Sequence, residues 1–302
     1  QRPAKPFTPV RFRIQPPLVM KIGIIGFGFV GEALANGLND DVEICKIDPK
    51  LSTSLKDLKE FSPKASFICL PTPMSNDGSQ DIEIIKNTLL EIKNLDIGGL
   101  VIIKSTVNPK NITELQSIYS DFVYNPEFLR EKYAKEDFIN SDLIVFGGKS
   151  SLINKASNIY KNYTKCKNED YIYTDAISAS LIKYSLNSFL ATKVIFFNEL
   201  NNLFEVSGAE ETWENFIDYI SKDKRIGNSH MMVPGHDGRF GFGGACFPKD
   251  TSALLKYAEL LDIDLTVLKS AILTNNKIRA SYNSNTHREN EQNVTYNNKE
   301  EK

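Results

Sequence analysis

The sulfur of Cys246 stands in a setting that could support covalent chemistry. The residue follows a glycine-rich run at residues 241–244 and precedes Lys249 by three positions. Glycines let a backbone pass close to a ligand, and a nearby ammonium group favours the nucleophilic thiolate over the thiol. A flexible surface turn with a buried, inert cysteine fits the same residues, because cysteine usually behaves as a small hydrophobe. The loop alone leaves both interpretations open.

Two further pairs of polar residues have spacings that could serve a reaction. Lys183 and Asn187 are four residues apart in a predicted helix, so both project from one side. A cation and an amide donor on one face could stabilise a developing oxyanion, or they could form a solvated edge. The apolar neighbours indicate a packed face, where an unpaired lysine is costly, so we expect a partner for Lys183. Glu127 and Glu131 share a face if their turn is helical, and two acids there could serve catalysis and cofactor.

A glycine fingerprint predicts a dinucleotide site. Residues 26–31 lie between an apolar strand and a helical pattern, and Asp48 ends the next strand. The first glycine would make the tight turn, the second admit a pyrophosphate and the third let helix pack on strand. Asp48 can accept hydrogen bonds from the adenosine ribose, which favours NAD over NADP. The alternative is a glycine-rich turn of another doubly wound protein. The predicted cofactor residues here are Gly26, Phe27, Gly28, Phe29, Val30, Gly31 and Asp48.

Apolar runs alternate with amphipathic stretches through the first half of the chain. This alternation predicts an α/β fold, a Rossmann-like doubly wound parallel sheet covered on both faces, at residues 20–174. Ligands of such sheets bind at the carboxyl ends of the strands, although polar residues and prolines there are also ordinary turn chemistry. The predicted strands are residues 21–25, 42–47, 65–70, 100–104, 122–124, 143–146 and 171–173. The segments at their ends include Pro71, Thr72, Pro73, Ser105, Thr106 and residues 125–131.

The second half predicts an all-α central domain at residues 175–281 that carries the Cys246 loop. An apolar stripe on its last helix is typical of a core, and it could also bury against a second subunit. His230 and His236 invite a zinc hypothesis together with Cys246, but no pair has the usual ligand spacing, so no metal is predicted. The predicted helices are residues 175–205, 208–219, 251–261 and 264–279.

Composition sets limits on the class of protein. The 302 residues are 41% hydrophobic and 25% charged with a net charge of −2, which gives no bulk attraction to nucleic acid. No apolar run is long enough to span a bilayer, so no membrane partner is predicted. The four cysteines are far apart, which is typical of reduced, cytoplasmic proteins. Prolines at residues 1–19 and polar residues at 282–302 predict disordered ends.

Taken together, these motifs resemble the UDP-glucose/GDP-mannose dehydrogenase family, whose members are NAD-dependent four-electron enzymes. The Cys246 loop is most similar to the branch that oxidises UDP-glucose to UDP-glucuronate. The resemblance implies a homodimer through the central helices and a nucleotide-sugar substrate. The matching stretches are residues 26–31, Asp48, 70–73, 105–107, 125–131, 183–187, 225–227 and 242–250.

The resemblance also implies a role for each matching residue. Cys246 would capture an aldehyde as a thiohemiacetal that becomes a thioester, and Lys183 and Asn187 would stabilise the oxyanions and contact substrate. Glu127 would be the general acid/base and a substrate contact. Asp250 and Thr106 would hold the hydrolytic water. The remaining implied contacts are Phe128, Leu129, Phe242 and Gly243 with substrate, Arg225 with the substrate of a partner subunit, and Glu131, Lys249, Pro71, Thr72, Pro73, Ser105 and Thr106 with the cofactor.

Two departures from the family pattern leave alternatives open. Only residues 49–64 separate Asp48 from the third strand, and the family's third domain, which holds the substrate nucleotide, has no counterpart in these 302 residues. A two-electron β-hydroxyacid dehydrogenase shares the glycine fingerprint and the Lys183–Asn187 spacing but does not need Cys246. A non-catalytic NAD-binding remnant is the other alternative. The predicted function is four-electron oxidation of UDP-glucose.

Overall fold

Within residues 19–296, which the computed structural model describes, seven strands form one sheet in the order β2-β1-β3-β4-β5-β6-β7. The first five strands are parallel, whereas β6 pairs antiparallel with β5 through Tyr124 and Gly147, and β7 is parallel to β6. The predicted α/β sheet is therefore confirmed, with one antiparallel junction that the sequence pattern does not indicate. The strands are β1 Lys21–Ile25, β2 Glu43–Ile47, β3 Ala65–Ile68, β4 Leu100–Ile103, β5 Phe122–Tyr124, β6 Ile144–Gly147 and β7 Tyr171–Thr174.

Helices cover both faces of the sheet because successive strand residues point to opposite sides. Ile25 packs in one apolar core, which helices α2, α3, α4 and the start of α7 complete, and Ile24 packs in the other with α1, α5 and α6. The helices of this half are α1 Phe29–Gly37, α2 Leu55–Phe61, α3 Glu83–Asn94, α4 Pro109–Ile118, α5 Ala134–Ile139 and α6 Ser150–Tyr163. The remaining helices are α7 Ala176–Val206, α8 Trp213–Ser221, α9 Phe247–Glu259, α10 Thr266–Arg279 and α11 His287–Glu291.

The long helix α7 joins the two halves of the molecule. Asp175 caps it by accepting a hydrogen bond from the Ser178 backbone N–H, and its 31 residues confirm the predicted helix. Its first turns pack on the sheet, and Ala191 and Ile195 pack against α9, α10 and the loop before α9. Because α7 touches both the sheet and the Cys246 loop, it can present side chains between them.

Three predicted helix starts are displaced. The second central helix begins at Trp213, where Thr212 accepts a hydrogen bond from Asn215 N, instead of at residue 208. Helix α9 begins before Asp250, at Phe247, because a proline is tolerated in a first helical turn. Helix α10 begins at Thr266. Cys246 consequently occupies the N-cap of α9 instead of a free loop.

The prediction that residues 282–302 are disordered is wrong for residues 282–296. Glu289 in α11 is fully buried and accepts hydrogen bonds from Arg279 Nη2 at 2.7 Å and from the Tyr296 hydroxyl at 2.5 Å. Composition predicts disorder when little apolar surface is available, but here a buried ionic network anchors the segment. Residues 1–18 and 297–302, where the other predicted disorder falls, lie outside the described residues.

Among residues 19–296, each helix is too short or too polar to cross a lipid bilayer.

Candidate active site

The turn between β1 and α1 has the geometry that its three glycines predict. Gly26 has a φ of +88°, and a Cβ there would lie 2.5 Å from the Cys69 carbonyl oxygen. A Cβ at Gly31 would lie 2.3 Å from the Gly26 carbonyl oxygen, which shows how closely the helix packs on the turn. A Cβ at Gly28, by contrast, would meet no atom of the described residues within 4 Å. The first and third glycines therefore serve the turn, and the second leaves room for a ligand.

Asp48 lies beside this turn, at the end of β2. One carboxylate oxygen, Oδ2, accepts a hydrogen bond from the Phe27 backbone N–H at 2.8 Å, and Oδ1 accepts one from the Lys50 N–H at 2.9 Å. The carboxylate is thereby fixed at the cleft wall. Helix α1 starts at Phe29 without a side-chain cap among the described residues, so its first N–H groups can receive phosphate charge.

A cleft of about 500 Å³ opens between the glycine turn and Cys246. Its position at the carboxyl ends of the parallel strands is the usual ligand site of such sheets. The open space at Gly28, the fixed Asp48 and the uncapped α1 fit a dinucleotide. The lining residues include Gly26, Gly28, Phe29, Val30, Asp48, Lys50, Pro71, Thr72, Lys104, Ser105, Thr106, Glu127, Cys246, Lys249, Arg288 and Gln292.

Hydrogen bonds between neighbouring strand ends shape the floor of the cleft. Thr72 Oγ1 donates to the Thr106 carbonyl at 3.0 Å, and Ser105 Oγ donates to the Leu70 carbonyl at 2.7 Å. Hydrogen bonds thus hold the loop after β3 and the loop after β4 together. Pro73, although predicted to contact the cofactor, lies outside the cleft lining and accepts a hydrogen bond from Asp81 N.

Lys183 has the partner that its burial requires. Its Nζ lies 3.0 Å from Glu127 Oε1, and both side chains are almost fully buried. Glu127 Oε2 also accepts a hydrogen bond from Leu129 N at 2.6 Å. Burial opposes both charges, but Glu127, Cys246 and Asp250 raise the pKa of Lys183. Burial likewise opposes the charge on Glu127, yet Lys183 holds its pKa below the ordinary value. The two residues form an ion pair in which Glu127 lines the cleft and Lys183 lies behind it.

A second buried cluster lies beside the first. Asp250 Oδ1 accepts a hydrogen bond from Lys249 Nζ, and Oδ2 accepts one from Asn187 Nδ2, each at 2.6 Å. Lys183 and Asn187 therefore reach two different carboxylates from one side of α7, as their four-residue spacing predicts. Thr106 and Lys249 both line the cleft between the glycine turn and Cys246.

The thiol of Cys246 does not have the lowered pKa that its sequence setting predicts. Burial raises the pKa of Cys246 to about 11, with further increases from Glu127 and Asp250, against the opposing effects of Lys249 and Lys183. The sequence shows Lys249 near the cysteine but not that Asp250 binds its ammonium group. In this structure the sulfur is a neutral thiol at neutral pH.

Several residues predicted to act together lie apart. The turn after Pro126 is not helical, so Glu127 faces the cleft while the exposed Glu131 pairs with Arg288 at 2.7 Å. Leu129 lines a small separate cavity next to Glu127. The other predicted substrate contacts also lie away from the cleft lining: Phe128 lines the same small cavity, Phe242 packs in the apolar core under α7, Gly243 lies against Arg279, and Arg225 is exposed and pairs with Asp223.

Three basic residues of the cleft are absent from the sequence prediction. Lys104 directly follows β4 and donates to Asn125 Oδ1 at 2.9 Å, and Lys50 lies two residues after Asp48. Lys104 carries a detectable signal, since an ionisable residue closes an otherwise apolar run. Arg288 lies in α11, whose start at Thr286 and Glu289 has capping-box spacing, a helix signal that the polar composition conceals.

Comparisons with known families agree with this geometry. The family model described as "UDP-glucose/GDP-mannose dehydrogenase family, NAD binding domain" matches residues 36–164, and the model of the same family's central domain matches residues 177–277. The chain belongs to the UDP-glucose/GDP-mannose dehydrogenase family. It is an NAD-dependent oxidoreductase with NAD as its cofactor. The match to the NAD-binding model begins at residue 36, so the interpretation of residues 26–31 as a dinucleotide turn depends on the geometry of that turn.

Similar proteins share most of the chain. The UDP-glucose 6-dehydrogenase of Rickettsia conorii is 32% identical over 306 residues, covering 87% of this chain and 68% of the relative. A solved UDP-glucose dehydrogenase from Pyrobaculum islandicum has a TM-score of 0.69 at 25% identity, covering 87% of this chain and 70% of that chain. This dehydrogenase thus spans about two thirds of the length of these relatives.

A dehydrogenase of another name shares the fold as well. Mycobacterium tuberculosis 3-hydroxyisobutyrate dehydrogenase has a TM-score of 0.66 at 16% identity, covering 92% of this chain and 97% of that chain. At this identity the likeness concerns the fold alone. The reaction that this chain catalyses must therefore be inferred from the residues in its own cleft.

Proposed function

We propose that the protein oxidises the primary alcohol of a nucleotide sugar, UDP-glucose in the first instance, to the carboxylate by way of a covalent bond to Cys246. One observation carries the proposal: the sulfur and the glycine turn line the same cleft, with Glu127 and Lys249 beside them. A two-electron dehydrogenase needs no nucleophile at this position. The names of the similar UDP-glucose 6-dehydrogenases support the choice of substrate.

The residues around the sulfur suit an aldehyde intermediate. Bound NAD supplies the hydride acceptor for each of the two oxidations. The Cys246 thiol adds to the aldehyde carbon, and its proton must leave as the carbon–sulfur bond forms, because the thiol is neutral before attack. Glu127, whose carboxylate is ionised beside the sulfur, is the acceptor within the cleft. Covalent capture also prevents escape of the aldehyde before its second oxidation.

The buried amine and amide of α7 have a distinct task in this scheme. Negative charge develops on the substrate oxygen when the alcohol loses its proton, when sulfur attacks and when water attacks the thioester. Lys183 and Asn187 are held by carboxylates at 3.0 and 2.6 Å, so they are positioned before the charge appears. The alcohol proton passes to solvent, and Glu127 releases the thiol proton to solvent before hydrolysis. Water then attacks the thioester carbon, Glu127 takes a proton from that water, and the sulfur leaves and receives this proton from Glu127. Asp250 and Thr106 would hold that water.

The experiment is a count of NADH produced per sugar nucleotide consumed. Two NADH for each UDP-glucose, with Cys246→Ser unable to form the acid, is the expected result. One NADH per molecule of a hydroxy acid would replace the proposal with the two-electron alternative. NAD binding without turnover on UDP-glucose or other nucleotide sugars would instead indicate the non-catalytic remnant.

We also propose that two copies associate through α7. Phe189, Phe196 and Leu203 are seven residues apart on one helix face, and between 58% and 65% of each residue is exposed. A second copy of the same face would bury them symmetrically, and the exposed Arg225 would exchange Asp223 for the partner's substrate. Sedimentation velocity should show a dimer that Phe196→Asp dissociates; a monomeric unmodified protein would contradict the proposal.

A cytoplasmic location is the remaining part of the proposal. All four cysteines are free thiols, which suits a reducing compartment. Labelling of thiols in intact and lysed cells that express the full chain would test it.

A further inference from the structure

The segment after α10 returns to the cleft and is fixed there. We call residues 282–296 the terminal strap. Its central residue, Glu289, is fully buried and pairs with Arg279 at 2.7 Å, and Glu289 Oε1 also accepts a hydrogen bond from Gly244 N at 3.2 Å. Gly244 lies two residues before Cys246. The strap is thereby attached to the loop that carries the thiol.

The other end of the strap is attached to the opposite wall of the cleft. The Met74 backbone N–H donates to the Gln292 carbonyl at 2.9 Å, and Thr295 Oγ1 lies 3.8 Å from the Met74 sulfur. Met74 belongs to the loop after β3, whose Pro71 and Thr72 line the cleft. The strap therefore spans the cleft from the thiol loop to the nucleotide-binding sheet.

Between these two attachments, the strap places an arginine at the glycine turn. Arg288 lines the cleft, and its guanidinium carbon lies 5.7 Å from the centroid of the Phe29 ring, at the first residue of α1. Its Nε lies 2.7 Å from Glu131 Oε1, and its Nη1 pairs with Glu291. These two carboxylates restrict the guanidinium, which has five N–H donors and so retains donors for a ligand.

We propose that Arg288 binds a phosphate group of the dinucleotide and that the terminal strap is part of the cofactor site. The diphosphate of NAD must lie over Gly28 and the start of α1, where the open space is. Arginine matches phosphate oxygens with paired N–H donors. Glu131 then acts as a positioning residue for Arg288 instead of touching the cofactor itself. Glu291, in the same helix α11 as Arg288, carries a negative charge that repels the phosphate.

The test is titration calorimetry with three ligands: NAD, ADP and adenosine. The Arg288→Gln variant should bind NAD and ADP about tenfold or more weakly, because each carries the diphosphate, and should bind adenosine as the unmodified protein does. Arg288→Lys should recover part of the loss. Glu291→Gln should bind NAD as well as or better than the unmodified protein. Lys149→Gln removes a lysine charge that pairs with Asp121, just before β5 and outside the cleft lining, and should change nothing.

Two outcomes would overturn the proposal. Affinities of Arg288→Gln for NAD and ADP within about twofold of the unmodified protein would show that the guanidinium makes no phosphate contact. An equal loss of affinity for adenosine would show that the strap lines the cleft without binding a phosphate group. Thermal melting of each variant separates either result from misfolding. The titrations involve no turnover, so an inactive protein that binds NAD through Arg288 would contradict the proposed function and leave this proposal intact.

Discussion

Two buried ionic clusters in this molecule have similar chemistry and different surroundings. Around Cys246, Lys183 pairs with Glu127 at 3.0 Å, while Arg279 under the terminal strap pairs with Glu289 at 2.7 Å. In both, the paired side chains are almost without exposure to solvent. Only the first cluster borders the cleft and contains a sulfur atom. Burial and pairing of charges therefore do not identify a reactive site; contact with the ligand cleft does.

We expect substitutions in the two clusters to lower the free energy of unfolding by similar amounts but to have different effects on kcat. Removing one partner from either leaves a buried charge unpaired, at a cost of about 3–5 kcal/mol. Lys183→Met should lose that stability and also abolish measurable oxidation, because the oxyanion partner is gone. Arg279→Met should lose similar stability yet keep most of its kcat at saturating NAD. Urea unfolding and steady-state kinetics on both variants are the measurements.

Equal loss of kcat in the two variants would break the distinction between them. A double variant that removes both charges of the Arg279–Glu289 pair provides the control for stability. Replacing Glu289 by Met in the Arg279→Met background should restore part of the unfolding free energy, since no fully buried carboxylate then remains unpaired; Asp237, the other partner of Arg279, is partly exposed to solvent.

The anchor of the terminal strap should also show in the dependence of stability on pH. Burial opposes the charge on Glu289, but the Tyr296 hydroxyl and Arg279 lower its pKa from 4.5 to about 2. A depressed folded-state pKa contributes stability that is present above pH 4.5 and is lost as the pH falls towards 2. Glu289→Gln should therefore be less stable at pH 7 by about 2 kcal/mol, with the gap narrowing in acid. Urea titrations at pH 7, 5 and 4 measure the gap; a constant gap would contradict the assignment.

The smallest effect is expected on the cofactor side. Asp48→Ala should weaken NAD binding about tenfold by removing a ribose acceptor, with little change in the melting temperature. Calorimetric titration with NAD gives the affinity. An unchanged affinity would argue against the role of Asp48 and leave the two ionic clusters unaffected.

Local geometry explains which of these features the sequence could predict. The glycine turn and Asp48 follow from short-range rules, because a tight turn and a strand end fix both within about twenty residues. The need for a partner at Lys183 was also predictable from its apolar neighbours and is confirmed by the ion pair. The identity of that partner was not, since Glu127 lies 56 positions away along the chain.

Two of the wrong predictions share a physical cause. Burial raises the pKa of Cys246, with further increases from Glu127 and Asp250, and the order of the terminal strap depends on Arg279, which holds the buried Glu289. Each outcome is decided by what surrounds a residue after folding. Composition and spacing count charges along the chain, but they do not show how those charges pair in space.

The most direct test of the account is the mass of the Cys246 peptide from a Glu127→Gln variant incubated with UDP-glucose and NAD. Glu127 accepts a proton from the thiol and later from the attacking water, and water is by far the weaker acid, so loss of the carboxylate should slow hydrolysis more than thiol addition and make hydrolysis the slow step. We predict a sugar-nucleotide thioester on Cys246 that hydroxylamine removes. NADH formation with Cys246 unmodified would contradict the account.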